Sequence, residues 1–418
     1  MTEEGQQKGL LNDTLPQDEV EYKDDPTGSN GIFGTMFNLA NTIIGSGTLA
    51  IPLAFQFSGY VGGPVLLLVA WFLSAFAMYL LTYVCVKTHM WTYKEISEKI
   101  GGKWLSYLVQ ISIFCYTTGT CIAYPIFLGG FMPHIFSTFA PRTILVDRHF
   151  DIMIIGFCVV YPLSMFKNLS ALKYASLLCL VCVIYTTITT IIETFTTYFD
   201  NFENNPPVWF NADIQFLRGF PYMTCAFTAH YNVLRFYSEL KGRSIKKMNL
   251  IVLVSTFVSF LVYLLIGLFG YFSLNPNLTG NILVDYPTSD IPMFIACISF
   301  CLVMSLSFPL VHHAQRDIFD KLVFAGWEDS QVRRVSLSLI LISVCMFLAA
   351  AVEQISTVLA YNGSIFGSLV VYIFPSVFAF KVAKGPLKWI SLGIFIIGII
   401  MGGIGLGITI ANQFNAFD

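Results

Sequence analysis

The chain has 418 residues, of which 56% are hydrophobic and only 11% are charged, with a formal net charge of −2. A soluble domain carries about 25% charged residues, so this composition excludes an ordinary water-soluble globule and places the chain in a lipid bilayer. The near-neutral balance offers no basic surface for nucleic acid, and the ten cysteines lie in or beside apolar runs, without the spacing of a disulfide framework or a metal site.

Residues 1–30 hold Glu3, Glu4, Asp13, Asp18, Glu19, Glu21, Asp24 and Asp25 against Lys8 and Lys23, which predicts a disordered acidic tail. The tail is too polar to be a cleavable signal. A membrane-spanning helix needs about 20 apolar residues. Stretches of that kind fall at 33–57, 61–86, 104–128, 150–166, 172–195, 214–238, 248–273, 291–313, 333–352, 355–380 and 387–411, so about eleven transmembrane helices are expected in an all-α domain over 31–411. Residues 87–103 set Trp91, Tyr93, Ile96 and Ile100 against Lys94, Glu95, Glu98 and Lys99, the pattern of a short helix at the membrane interface. Residues 412–418 form a short tail.

Loop charges set the orientation. With the amino terminus in the cytosol, the cytosolic loops hold Lys87, Lys94, Lys99, Lys103, Lys167, Lys173, Lys241, Arg243, Lys246, Lys247, Arg316, Lys321, Arg333, Arg334, Lys381, Lys384 and Lys388. The opposite loops hold little beyond Arg142 and Arg148, so the carboxyl terminus is expected outside or in a lumen. Asn277-Leu278-Thr279 is a glycosylation sequon on that side.

The first span contains Gly45-Ser46-Gly47-Thr48 at its middle, with Pro52 one turn on. Glycine inside a helix costs about 1 kcal/mol against alanine, so the helix is expected to open there. An opened turn is tolerated in a bilayer only where it faces protein or a water-filled cavity. The sixth span carries Gly219-Phe220-Pro221-Tyr222, and Pro221 lacks a backbone donor. Two interrupted helices five spans apart predict a five-plus-five inverted repeat with a binding site between the breaks.

A free amino acid has a carboxylate and an ammonium, and both need partners once out of water. Amides at an opened helix start suit the carboxylate, and freed carbonyls suit the ammonium. Gly45, Ser46, Gly47 and Thr48 are placed for the first role, and carbonyls near Thr42, Phe220 and Thr224 for the second. The glycines would also serve close helix packing; the matching interruption in the sixth span favours a site. Asn38 and Asn41 lie three apart on one helix face, and Asn41 offers an oxygen either to a sodium ion or to a neighbouring helix. In the eighth span Ser299, Ser305 and Ser307 offer hydroxyls, and Ser305 is assigned with Asn41 to sodium, although serines in membrane helices also bond their own backbone. Tyr124, beside Pro125, is placed to line or lid the site, or to sit at the interface.

Ionisable groups within spans are functional candidates. Arg235 and Glu239 are i, i+4 and form an expected latch at the cytosolic mouth. His230 is a candidate pH sensor, or a packing residue. Glu353, in a tight outer turn, is a gate or cap candidate. No GxSxG, HExxH or phosphate-loop pattern is present, so no enzyme and no cofactor are expected.

Phe37-Asn38-Leu39-Ala40-Asn41-Thr42-Ile43-Ile44-Gly45-Ser46-Gly47 resembles the first-helix signature of the sodium-coupled neutral amino acid transporters, within the amino acid/auxin permease superfamily. Ala226-Phe227-Thr228-Ala229-His230-Tyr231, then Tyr237-Ser238-Glu239-Leu240 and a basic loop, is similar to the family's sixth helix, and Tyr124 with Pro133 fits its third. The resemblance spans residues 31–411. It implies a LeuT-type core, transport of neutral amino acids, and coupling to a cation. It puts Asn41 on the family's sodium-associated asparagine and Gly45, Ser46 and Gly47 on the unwound substrate turn. The eighth helix departs, with Ser305-Leu306-Ser307 ahead of Phe308-Pro309 where the family has threonine, and the family's extracellular disulfide has no counterpart. The expectation is a monomeric secondary transporter of small neutral amino acids, working by alternating access with sodium or a proton as coupling ion, in a plasma or vacuolar/lysosomal membrane. Two rivals stay open: a proton-coupled vacuolar or lysosomal transporter, and an amino acid sensor with a transporter fold.

Overall fold

The computed structural model describes residue 28, residues 30–165 and residues 173–414. Apart from Gly28 and Asn30, the acidic tail lies outside the described residues. All described elements are helical; the only β pairing among them is a single bridge between Asn30 and Leu240. Among the described residues, eight helices are long and apolar enough to cross a membrane, and a ninth candidate is the bent pair Ile32–Ile43 and Ser46–Ser58.

The first span is broken as expected, with its halves inclined by 42°. The second runs Gly62–Thr88, the fifth Lys173–Thr196, the seventh Ile245–Leu274, the eighth Ile291–Val323, the ninth Gln331–Ala351 and the last Pro386–Gln413. The expected interfacial helix shrinks to the start of Tyr93–Phe139, and the third span follows directly. Thr92 and Glu95 close a capping box at its start. Gly102, at φ +72°, then turns the chain from the interface into the span. The fourth stretch is fragmented, with Arg148–Ile155 and Tyr161–Ser164 flanking a π turn. The tenth, within 355–382, carries π turns at Asn362–Gly367 and Leu369–Ile373.

The sixth span breaks elsewhere than expected. Pro221 sits in the first turn of Phe220–Ala226, directly after the 3-10 turn Ile214–Gly219, at a position where proline is tolerated. The interruption comes six residues later, at Phe227-Thr228-Ala229, before a second helix His230–Glu239.

Side chains sort by surroundings. Phe72, Trp104, Phe347 and Ile400 stand exposed on the outside of the bundle, as lipid-facing residues do, while Leu39, Phe127, Phe227 and Phe300 are fully buried. The third and eighth spans pack along each other, and the eighth also packs on the fifth. The broken first and sixth spans lie inside this frame.

Candidate transport site

The first span leaves helical geometry at Ile44 (ψ 71°) and Gly45 (φ −114°, ψ −141°) and resumes as a 3-10 turn, Ser46–Ala50. The amides of Ser46 and Gly47 open that turn, so no earlier carbonyl of the turn reaches them. Gly45 and Gly47 are glycine because of close approach. A Cβ on Gly45 would stand 2.6 Å from the Tyr124 hydroxyl, and one on Gly47 would stand 2.6 Å from the Ala226 Cα. The two breaks therefore touch.

Neighbouring helices satisfy the freed carbonyls. The Tyr263 hydroxyl lies 2.6 Å from the Ile43 carbonyl and 2.9 Å from that of Ala226, spanning both breaks; with one proton, it donates to one at a time. Tyr116 donates to the Cys225 carbonyl at 3.1 Å, and Thr228 to that of Thr224. Ser74 holds both sides of the sixth break. Its hydroxyl donates to the Phe227 carbonyl at 3.1 Å, and its own carbonyl faces His230 Nε2 at 3.1 Å.

Between the breaks lies a small cavity lined by Thr42, Ile43, Gly45, Ser46, Gly47, Tyr116, Thr120, Tyr124, Cys225, Thr228 and Tyr231. Thus Thr42, Gly45, Ser46, Gly47 and Tyr124 come together around it. Three residues expected at the cavity do not line it. Phe220 stacks on Tyr372 at 6.0 Å, and the Thr224 hydroxyl pairs with that of Tyr372 at 3.3 Å, so both face the tenth span. With the sixth break displaced toward Phe227, this turn remains helical, and the Thr224 carbonyl is taken by the Thr228 hydroxyl. Thr48 is fully buried beyond the opening. The sequence reading missed Ile43, Tyr116, Thr120, Cys225, Thr228 and Tyr231. Tyr116, Thr120 and Tyr124 recur every four residues, so one helical face of the third span carried a readable signal.

Asn41 is buried beside the break. Its Nδ2 donates to Ser176 Oγ of the fifth span at 3.3 Å, and its Oδ1 accepts from Ser307 Oγ of the eighth at 3.1 Å. Ser305 turns away and donates to its own Cys301 carbonyl at 2.8 Å. Two residues separate them, about 200° around a helix, so they cannot both face Asn41; Ser307 does.

On the side of the bundle that carries Asn30, Arg235 pairs with Glu239 at 3.1 Å and lies 3.8 Å from Asp317 of the eighth span. Asn30 Nδ2 donates to the other Glu239 oxygen at 3.0 Å, and Asn30 pairs through its backbone with Glu239 and Lys241. His230 is fully buried and pinned to the second span, the arrangement of a packing residue. Glu353 is exposed in the turn after the ninth span, away from the cavity. Beside it Arg148 caps the end of that helix, donating to the carbonyls of Ala349, Ala350 and Val352. Asn277 is exposed, and Thr279 two residues on donates through its amide and hydroxyl to Asp285. Burial raises the Asp285 carboxyl to about 6, with the Thr279 donations opposing the rise.

Residues 28–414 match the family described as transmembrane amino acid transporter protein. The chain belongs to that family. It is 26% identical to amino acid transporter AVT6E of Arabidopsis thaliana, over 90% of this chain and 83% of the relative. It is 24% identical to sodium-coupled neutral amino acid transporter 7 of Homo sapiens, over 98% and 95%. Among solved structures, it is similar to a Na+-coupled sialic acid symporter (16% identical, TM-score 0.52, 90% and 91% covered). It is also similar to a manganese transporter of Eremococcus coleocola (11% identical, TM-score 0.63, 98% and 92% covered). The fold is the LeuT type, and this family member is a transporter rather than an enzyme.

Proposed function

We propose that this protein is a secondary active transporter that carries small neutral amino acids by alternating access, coupled to a cation. The observation that carries this reading is the pair of touching helix breaks that share one cavity. The amides of Ser46 and Gly47 open a helical turn toward it, with the positive end of that turn facing inward. There they suit a substrate carboxylate, with the Thr42 carbonyl for the ammonium and Tyr124 closing over both. Asn41 Oδ1 and Ser307 Oγ supply hard oxygens for sodium. The Arg235–Glu239–Asp317 group with Asn30 forms the gate on the cytosolic side, the amino terminus being cytosolic by the loop charges; the unit is a monomer. The names of sodium-coupled relatives agree with sodium as the coupling ion.

A second reading, proton coupling at a vacuolar or lysosomal membrane, has its own observation. The Asn41 amide is already bonded at both ends, by Ser176 and Ser307, so a cation must displace a made hydrogen bond. Uptake of labelled alanine, serine and leucine into proteoliposomes, under separate sodium and proton gradients, decides. Uptake that follows sodium supports the first reading, and uptake driven only by a proton gradient supports the second. Amino acid binding without flux under either gradient overturns transport in favour of a sensor.

A further inference from the structure

The tenth span contributes nothing to the cavity lining, yet one of its residues holds the wall in place. Asn362 opens the π turn Asn362–Gly367 and is 4% exposed. A π turn widens a helix and pushes a residue out of register, and such turns gather at functional sites. Here the Asn362 carboxamide lies across one turn of the third span. Its Nδ2 is 3.2 Å from the Tyr116 carbonyl and 3.3 Å from the Thr120 hydroxyl. The absence of a side chain at Gly119 makes room, since a Cβ there would stand 2.6 Å from Asn362 Oδ1. Tyr116 in turn donates through its hydroxyl to the Cys225 carbonyl at 3.1 Å, just before the sixth break. The Asn362 Oδ1 accepts no hydrogen bond from the protein. The next residue, Gly363, packs directly on the Pro221 carbonyl, so the turn is fixed against the sixth span as well.

Tyr116, Thr120 and Cys225 are cavity-lining residues. In the functional reading above, on which this inference rests, the first break takes the two charged ends of the substrate. The wall of Tyr116, Thr120 and Cys225 is then left for its side chain. We propose that Asn362 is a positioning residue that sets which side chains the site accepts. By tying the Tyr116 carbonyl and the Thr120 hydroxyl to one rigid amide, it keeps the wall close and lightly polar. Such a wall suits short uncharged side chains, bare or bearing one hydroxyl or thiol, and excludes branched and aromatic ones.

Asn362→Ala removes the amide behind the wall. The test measures alanine and leucine together, by competition in proteoliposome uptake and by ligand-induced thermal stabilisation in detergent. A ratio is independent of how much protein folds. The leucine-to-alanine preference is expected to rise about tenfold, the order of discrimination that a hydrophobic pocket gains from small changes in fit. Ser364→Ala, in the same π turn, deletes a hydroxyl bonded only to its own helix at Ala360, and is expected to leave the ratio unchanged. A ratio within twofold of wild type in folded Asn362→Ala overturns the inference, as does an equal shift in Ser364→Ala, which would mean generic loosening of the tenth span. If the wild type neither binds nor moves amino acids, the functional reading itself fails and takes this inference with it.

Discussion

The two interruptions at the centre of the bundle touch, but they are made differently. The first is written into local chemistry: Gly45 and Gly47 stand where a Cβ would strike Tyr124 and Ala226. The sixth has neither glycine nor proline at Phe227-Thr228-Ala229. It stays open because helices two, three and seven supply Ser74, Tyr116 and Tyr263 to the carbonyls it exposes. One break leaves its amides facing a cavity, where a ligand can use them. The other has its carbonyls met by hydroxyls and serves as a rigid counter-wall. This division keeps the cavity stable, because a pocket with both breaks unsatisfied would be costly in lipid.

The sharpest way to break this comparison is to separate the two breaks. Gly47→Val drives a branched side chain into Ala226 and is expected to reduce uptake by more than about 100-fold, since a shift near 1 Å at a site can be worth that much. Uptake per quantified membrane-inserted protein measures it, and wild-type-like rates would refute the site placement. Next, Tyr263→Phe removes the one hydroxyl shared by both breaks. It should destabilise the protein by about 1–3 kcal/mol, the cost of an unsatisfied buried acceptor, read as a lowered midpoint of thermal unfolding in detergent.

The ion side gives a paired test. Ser307→Ala, like Asn41→Ala, should raise the sodium concentration for half-maximal uptake about tenfold, as loss of a group at a metal site does. Ser305→Ala should leave it unchanged, because that hydroxyl serves its own helix. Equal effects from the two serines would refute the orientation of the eighth span, and indifference to sodium in the wild type would favour the proton reading. The smallest effect belongs to Ser74→Ala. It frees only the Phe227 carbonyl and should lower stability by about 1 kcal/mol. If Ser74→Ala matched Tyr263→Phe, the second and seventh spans would support the sixth break equally.

The glycines of the first span, the apolar stretches and the stripe of Tyr124 were readable from composition and periodicity. The displacement of the sixth break was not. Pro221 is a conspicuous breaker in a sequence, yet it opens a helix here because its missing amide falls in a first turn. Ser305 and Ser307 look equivalent in a string of letters, and only the rotation of the eighth span about its axis turns one toward Asn41. Thr224 and Phe220 were drawn to the site by proximity to Pro221, and the tenth span, through Tyr372, claims both instead.

By itself, the sequence determined that this chain lives in a bilayer, that its first span opens at Gly45–Gly47, and that it resembles amino acid transporters. Those properties follow from local facts: transfer energy summed over about 20 residues, and the absence of a Cβ at two positions. Only the tertiary structure decided where the sixth span opens, which serine meets Asn41, and that Asn362 braces the cavity wall. Each of these depends on which hydroxyl or amide a distant helix presents to a buried polar group that cannot go unsatisfied away from water.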